Sequence, residues 1–126
     1  MVKLAILNAN QRSLREMDHT LREAAKHCDN RNDFSHYDEA FHLQLARCSQ
    51  NPLLEWIYGK INDIRSHKQW NDSKAAILSE DKMTKYVKEH RALFEAIKKR
   101  DQKEAGQIIT EHLLRAKRHL SDPEIF

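Results

Sequence analysis

A chain of 126 residues is long enough for one domain that buries roughly two thirds of its extended surface. Its net charge of +3 is small, and its 22 basic residues are too evenly mixed with 19 acidic ones to make this segment a nucleic-acid surface. Two glycines and two prolines leave few breakers, which predicts long helices joined by short connections.

The first apolar stripe runs from about Leu4 to His27 through Leu4, Leu7, Leu14, Met17 and Leu21. Asn8, Asn10 and Ser13 interrupt it, so one kinked helix or two are open. No capping signal precedes Leu4, and the abrupt start is that of a piece of a longer protein. A polar patch from Cys28 to Asp33 makes the next turn, with Asn32 or Asp33 as N-cap. The helix that follows, to about Cys48, carries Phe34, Asp38, Phe41 and Leu45 on one face, with His42 at its edge. Asn51 is placed as the N-cap of another helix with Pro52 at its first position. Leu53, Leu54, Ile57, Ile61 and Ile64 give that helix a clean apolar stripe to about Trp70, before the break at Asn71, Asp72 and Ser73.

The stretch Lys74 to Asp81 fits a loop or a short helix. A strong helix then carries Met83, Tyr86, Val87, His90, Leu93, Phe94 and Ile97 on one face. Asp101 caps a last helix bearing Ala105, Ile108, Ile109, His112, Leu113, Ala116 and Leu120, which stops near Ser121-Asp122-Pro123. With no strand-like alternation or repeat, the fold class is all-α, an antiparallel helical bundle. Cys28 and Cys48 lack CxxC or zinc-finger spacing and suit a reducing cytoplasm. No apolar run reaches the roughly 18 residues of a membrane span, and no secretion leader opens the chain. A cytoplasmic protein without membrane contact is expected.

A carboxylate in a core is costly unless something offsets its charge, which makes Asp38 the residue to explain. His42, one turn on, is its neighbour, and His90 and His112 each face the core from a different helix. One carboxylate and three imidazoles form a ligand set for zinc or another first-row divalent ion. The other reading pairs Asp38 with a protonated histidine in a buried hydrogen-bonded network. Glu16-x-x-His19 and Glu39-x-x-His42 match the step of di-iron bundles, but their glutamates fall off the apolar phase, and Glu89 and Glu111 sit beside their core faces. No nucleophile elbow or phosphate-cradling loop is present.

Asp38-Glu-Ala-Phe41-His42-x-x-Leu45, followed by Asn51-Pro52-Leu53-Leu54, resembles the start of the metal-binding half of the C-terminal effector-binding domain (FCD) of FadR-type regulators in the GntR superfamily. Glu89-His90-x-x-Leu93-x-x-Ala96-Ile97, then Asp101, Ala105 and His112-Leu113, is similar to its end. The likeness implies a single domain over 1–126 with a central cavity, where Asp38, His42, His90 and His112 hold a divalent ion. Zinc leads, with nickel or manganese as alternatives. It further implies a small carboxylate effector, a sugar acid or central metabolite, met by Arg65 from the middle helix, with His67 and Trp70 lining the same cavity. A homodimer is expected, and DNA contact only through a winged-helix domain that precedes this one in the family and is missing here. An excised fragment is favoured over a stand-alone sensor. The expectation is a sensor rather than an enzyme; the alternative is a small metal-dependent hydrolytic enzyme on a helical bundle.

Overall fold

Side chains that cap backbone N–H groups set most of the helix starts, and they divide the chain where the polar residues fall. The computed structural model describes residues 2–65 and 79–120, with side chains to residue 64 and from 79 to 114. These residues form six helices: α1 (Val2–Asn8), α2 (Gln11–Lys26), α3 (Arg31–Cys48), α4 (Pro52–Arg65), α5 (Glu80–Lys98) and α6 (Gln102–Leu120). Among the described residues there is no strand, and the architecture is an all-α bundle.

The first stripe resolves into two helices. Asn10 is extended, and its side chain accepts from the Ser13 N–H at 2.8 Å while Ser13 Oγ accepts from the Asn10 N–H at 3.0 Å. This reciprocal capping box starts α2 and ends any continuation from α1. For α3 the cap is Asn30, upstream of the expected Asn32 or Asp33. Asn30 Oδ1 accepts from both the Asn32 and the Asp33 N–H, at 3.0 and 3.2 Å, so those two residues lie inside the first turn. Asn51 caps α4 as expected, accepting from Leu53 and Leu54 N–H groups at 3.1 and 3.3 Å ahead of Pro52. Ser79 caps α5, and Asp101 caps α6 through the Glu104 N–H at 3.0 Å. The rest of the ambiguous stretch 74–81, the residues around Trp70 and the end at Ser121-Asp122-Pro123 lie outside the described residues.

The main core gathers Met17 and Leu21 of α2, Phe41 and Leu45 of α3 and Leu93 and Ile97 of α5, closed by Ile6 and Ala105. A second cluster joins Ala24, Phe34, Met83 and Val87. Full burial of each such large side chain contributes about 1.5–3 kcal/mol. Asp38 lies between Phe34 of one cluster and Phe41 of the other, and His90 lies between Val87 and Leu93. The polar residues thus occupy the seam between two apolar clusters.

Two apolar expectations need correction. The α4 stripe is not a core stripe: Leu53 and Ile64 are each 63% exposed, and Trp56 and Ile57 join them at the surface. Of its large apolar side chains among the described residues only Leu54, Tyr58 and Ile61 are half-buried, because α4 packs chiefly on α3. Leu113 is likewise exposed, one step round α6 from the buried His112. No helix among the described residues is long and apolar enough to cross a membrane.

Candidate metal centre

The phase that puts Phe34, Phe41 and Leu45 in the core carries Asp38 and His42 with them, one turn apart on α3. His42 Nδ1 lies 2.8 Å from the Asp38 carbonyl oxygen and 3.7 Å from its carboxylate. From α5, His90 Nδ1 faces the other Asp38 oxygen at 3.4 Å. From α6, His112 Nδ1 hydrogen-bonds the Glu89 carboxylate. The side chains of Asp38, His90 and His112 are 12%, 5% and 10% exposed, so any charge on them is largely withdrawn from water and needs a partner.

These contacts assign the ring protons. Nδ1 of His42 donates to a carbonyl, and Nδ1 of His112 donates to a carboxylate. Nδ1 of His90 faces a carboxylate, which favours a proton there. In neutral rings each Nε2 then keeps its lone pair. Yet Nε2 of His90 and Nε2 of His112 stand only 3.2 Å apart. Two lone pairs at that distance repel unless a cation, either a shared proton or a metal ion, lies between them. The separation is close to the roughly 3.3 Å edge that two nitrogens span on a tetrahedral ion at about 2.0 Å. His42 completes the group, with ligand nitrogens of the three histidines within 4.8 Å of one another.

Aromatic packing holds the rings. Phe41 stacks on His90 at 5.0 Å between centroids, Tyr58 of α4 lies parallel to His42 at 6.4 Å, and Tyr86 meets His112 edge-on at 5.5 Å. Each imidazole therefore has a fixed plane.

All four expected ligands meet at this seam. Arg65 closes α4, seven residues after Tyr58, but its side chain lies outside the described residues, as do His67 and Trp70. Glu89 is a residue the sequence reading set aside. Placed beside the core face of α5, it is 15% exposed and bonded to His112. A glutamate immediately before one core-facing histidine, with a second such histidine on the next helix, is the signal that would have found it. His19 and His36 are exposed, and His27 is half-buried.

A family model, the FCD domain, matches residues 1–115. The chain belongs to the FCD family. It is an effector-binding domain of the FadR type, homologous to regulators of the GntR superfamily, and its relatives are regulators rather than enzymes. The Uxu operon regulator of Haemophilus influenzae is 27% identical over 115 residues, which is 90% of this chain and 43% of that protein. The chain thus spans less than half the length of this curated relative. Among solved structures, E. coli McbR/YncC superposes with a TM-score of 0.79 at 16% identity, covering 94% of this chain and 59% of that one. That likeness establishes the fold.

Proposed function

We propose that this FCD domain senses a small carboxylate through a divalent ion held by Asp38, His42, His90 and His112. The observation that carries the reading is the pair of Nε2 atoms 3.2 Å apart, each on a ring whose other nitrogen faces a carboxylate. Histidines that ligate metals usually give their second N–H to a carboxylate or carbonyl, which is the arrangement at His42 and His112. Zinc suits an N-rich set with one carboxylate best, with nickel or manganese as alternatives.

The ion would supply a positive centre at which an effector carboxylate replaces water. Arg65, two turns after Tyr58 on α4, is proposed to pair with the effector's charge, with His67 and Trp70 lining the same space. Asn62, one turn after Tyr58, has a buried side-chain oxygen with no hydrogen-bond partner among the described residues and is suited to accept from an effector hydroxyl. A sugar acid or a hydroxylated central metabolite fits that pattern.

The ligands come from α3, α5 and α6, and His42 packs on α4. Binding therefore shifts helix packing to the extent that the effector prefers one arrangement over the other. In a cytoplasmic transcription regulator this shift would reach DNA through a winged-helix domain outside the chain. Dimerisation is proposed through the exposed face of α4, where Leu53, Trp56, Ile57 and Ile64 are grouped rather than scattered.

Elemental analysis of protein purified without chelator tests the reading. The expected result is one divalent ion per chain, lost in Asp38→Ala and His112→Ala variants that keep their helical circular dichroism. Titration with citrate and gluconate should then give binding only to the metal-loaded form. A parent that is metal-free and takes no zinc from a colorimetric indicator would sink the idea, leaving a proton shared between His90 and His112.

A further inference from the structure

A second feature lies on the far side of α5 from its contacts with α6. Arg91 reaches Asp18, and Arg100, just past the end of α5, reaches the Ala9 carbonyl, so α5 runs antiparallel to α2. Between the two helices is an open groove of about 560 Å3. That volume falls in the range of small-molecule sites, roughly 300–1,000 Å3.

The charges in this groove do not balance. Its wall contains Arg15 and Arg22 of α2 and Arg91 and Lys98 of α5, against the carboxylates Asp18 and Glu95. Four cations against two carboxylates leave two positive charges. Both carboxylates are already engaged: Asp18 by Arg91 at 2.5 Å and Arg22 at 3.0 Å, and Glu95 by Arg91 at 3.9 Å. Among the described residues, neither Arg15 nor Lys98 has a carboxylate within ion-pair distance.

The groove is also held in shape. The Arg91 guanidinium is fixed by Asp18 and lies over the ring of the buried Phe94 at 5.3 Å, so a rigid fork caps the core at the floor of the opening. The antiparallel register sets Lys98 opposite the first turn of α2, about one helical turn along the groove from Arg15. Cations from both helices, one of them the fixed Arg91, therefore line a single groove.

We infer that the groove between α2 and α5 binds a small organic dianion, with Arg15 and Lys98 taking the charged groups and the half-buried Leu14 meeting the carbon skeleton. The site is separate from the histidine cluster and requires no metal. It gives the domain a second, purely electrostatic ligand input.

Calorimetric titration of the chelator-stripped domain with inorganic phosphate, pyrophosphate and succinate tests this. At least one should saturate as one ligand per chain below about 10 mM. In an Arg15→Gln/Lys98→Gln double variant its affinity should fall by about tenfold or more, and the dependence on salt should flatten. Both residues are exposed, so the variant should keep the parent melting temperature. Failure of all three anions to saturate overturns the inference. Binding that needs added zinc and survives the double substitution also overturns it, by placing the anion at the histidines.

Discussion

At His112 one ring nitrogen meets the Glu89 carboxylate and the other faces His90, so the carboxylate decides which nitrogen keeps its lone pair. Removing the charge in Glu89→Gln keeps an acceptor for the N–H but withdraws the electrostatic support. Zinc affinity should then fall by about 10–100-fold with the fold intact, measured by competition with a chelating indicator. Parent-like affinity in both Glu89→Gln and Glu89→Ala would reduce Glu89 to a packing residue. A second residue-scale prediction concerns Asp18, whose carboxyl the Arg91 hydrogen bond holds below its ordinary value of 3.8, with Arg22 helping. The folded chain therefore binds fewer protons here than the unfolded chain. The stabilisation is complete above the unfolded value and fades as pH falls through the folded one. The pair lies near the surface, so Asp18→Asn should cost only about 0.2–1 kcal/mol at neutral pH. That difference should close once the pH is well below 3.8, as followed by urea denaturation across the acid range. Asp38, His90 and His112 were legible from the sequence because the helical period places each among apolar neighbours. Glu89 was not, because a position next to His90 is turned about 100° from it, and only a partner 23 residues on draws it inward.

Among the helices, α4 shows how far periodicity reaches. Its residues repeat at helical spacing, and the helix, its Asn51 cap and its Pro52 start were all legible. Which side of it faces the body was not, since Leu54 and Ile61 on one flank and Leu53, Ile57 and Ile64 on the other are equally apolar. The half-buried flank carries Tyr58, which packs against His42, while the exposed flank centres on Trp56, with Lys60 lying 5.7 Å over its ring. One helix therefore links the proposed ion site to the proposed dimer surface. Trp56→Glu places a charge in the middle of that surface without touching the buried flank. Sedimentation velocity should show the parent as a dimer and this variant as a monomer, with zinc affinity per chain retained. A dimer that persists in Trp56→Glu and in Leu53→Glu moves the interface elsewhere. The α3 start is a smaller case of the same limit. Asn30, Asn32 and Asp33 are all good caps by residue type, and only the path of the chain out of α2 selects the first.

For the molecule as a whole, the corner between α5 and α6 fixes how His90 and His112 approach. It is built as a Schellman motif: the Asp101 N–H bonds the Ala96 carbonyl at 2.9 Å and the Arg100 N–H bonds the Ile97 carbonyl at 3.0 Å. The residue at the left-handed position of that motif is usually glycine, yet here it is Arg100, with φ of 59°. Its side chain accounts for the choice. The guanidinium donates to the carbonyl oxygens of Ile6 and Ala9, tying the end of α1 and the break before α2 to this corner. On the other side of α1, Asn8 donates to the Ser49 carbonyl at 3.0 Å, so the short helix is pinned between two interhelical turns. No helical pattern predicts this latch, because it joins a loop arginine to backbone oxygens about ninety residues away. Two effects oppose each other in Arg100→Gly. Relief of the left-handed backbone favours the variant by about 1 kcal/mol. Against that, charge-assisted hydrogen bonds to carbonyls contribute about 1.5–3 kcal/mol each, and two are lost. The bonds win, so Arg100→Gly should be less stable than the parent by urea denaturation, and Arg100→Ala, which keeps the strain, less stable again. Amide exchange should rise first in α1, the element that loses its anchor, before it rises in α5 or α6. A glycine variant as stable as the parent would show that backbone geometry alone holds the corner, and that α1 is kept in place by Ala5 and Ile6 in the core.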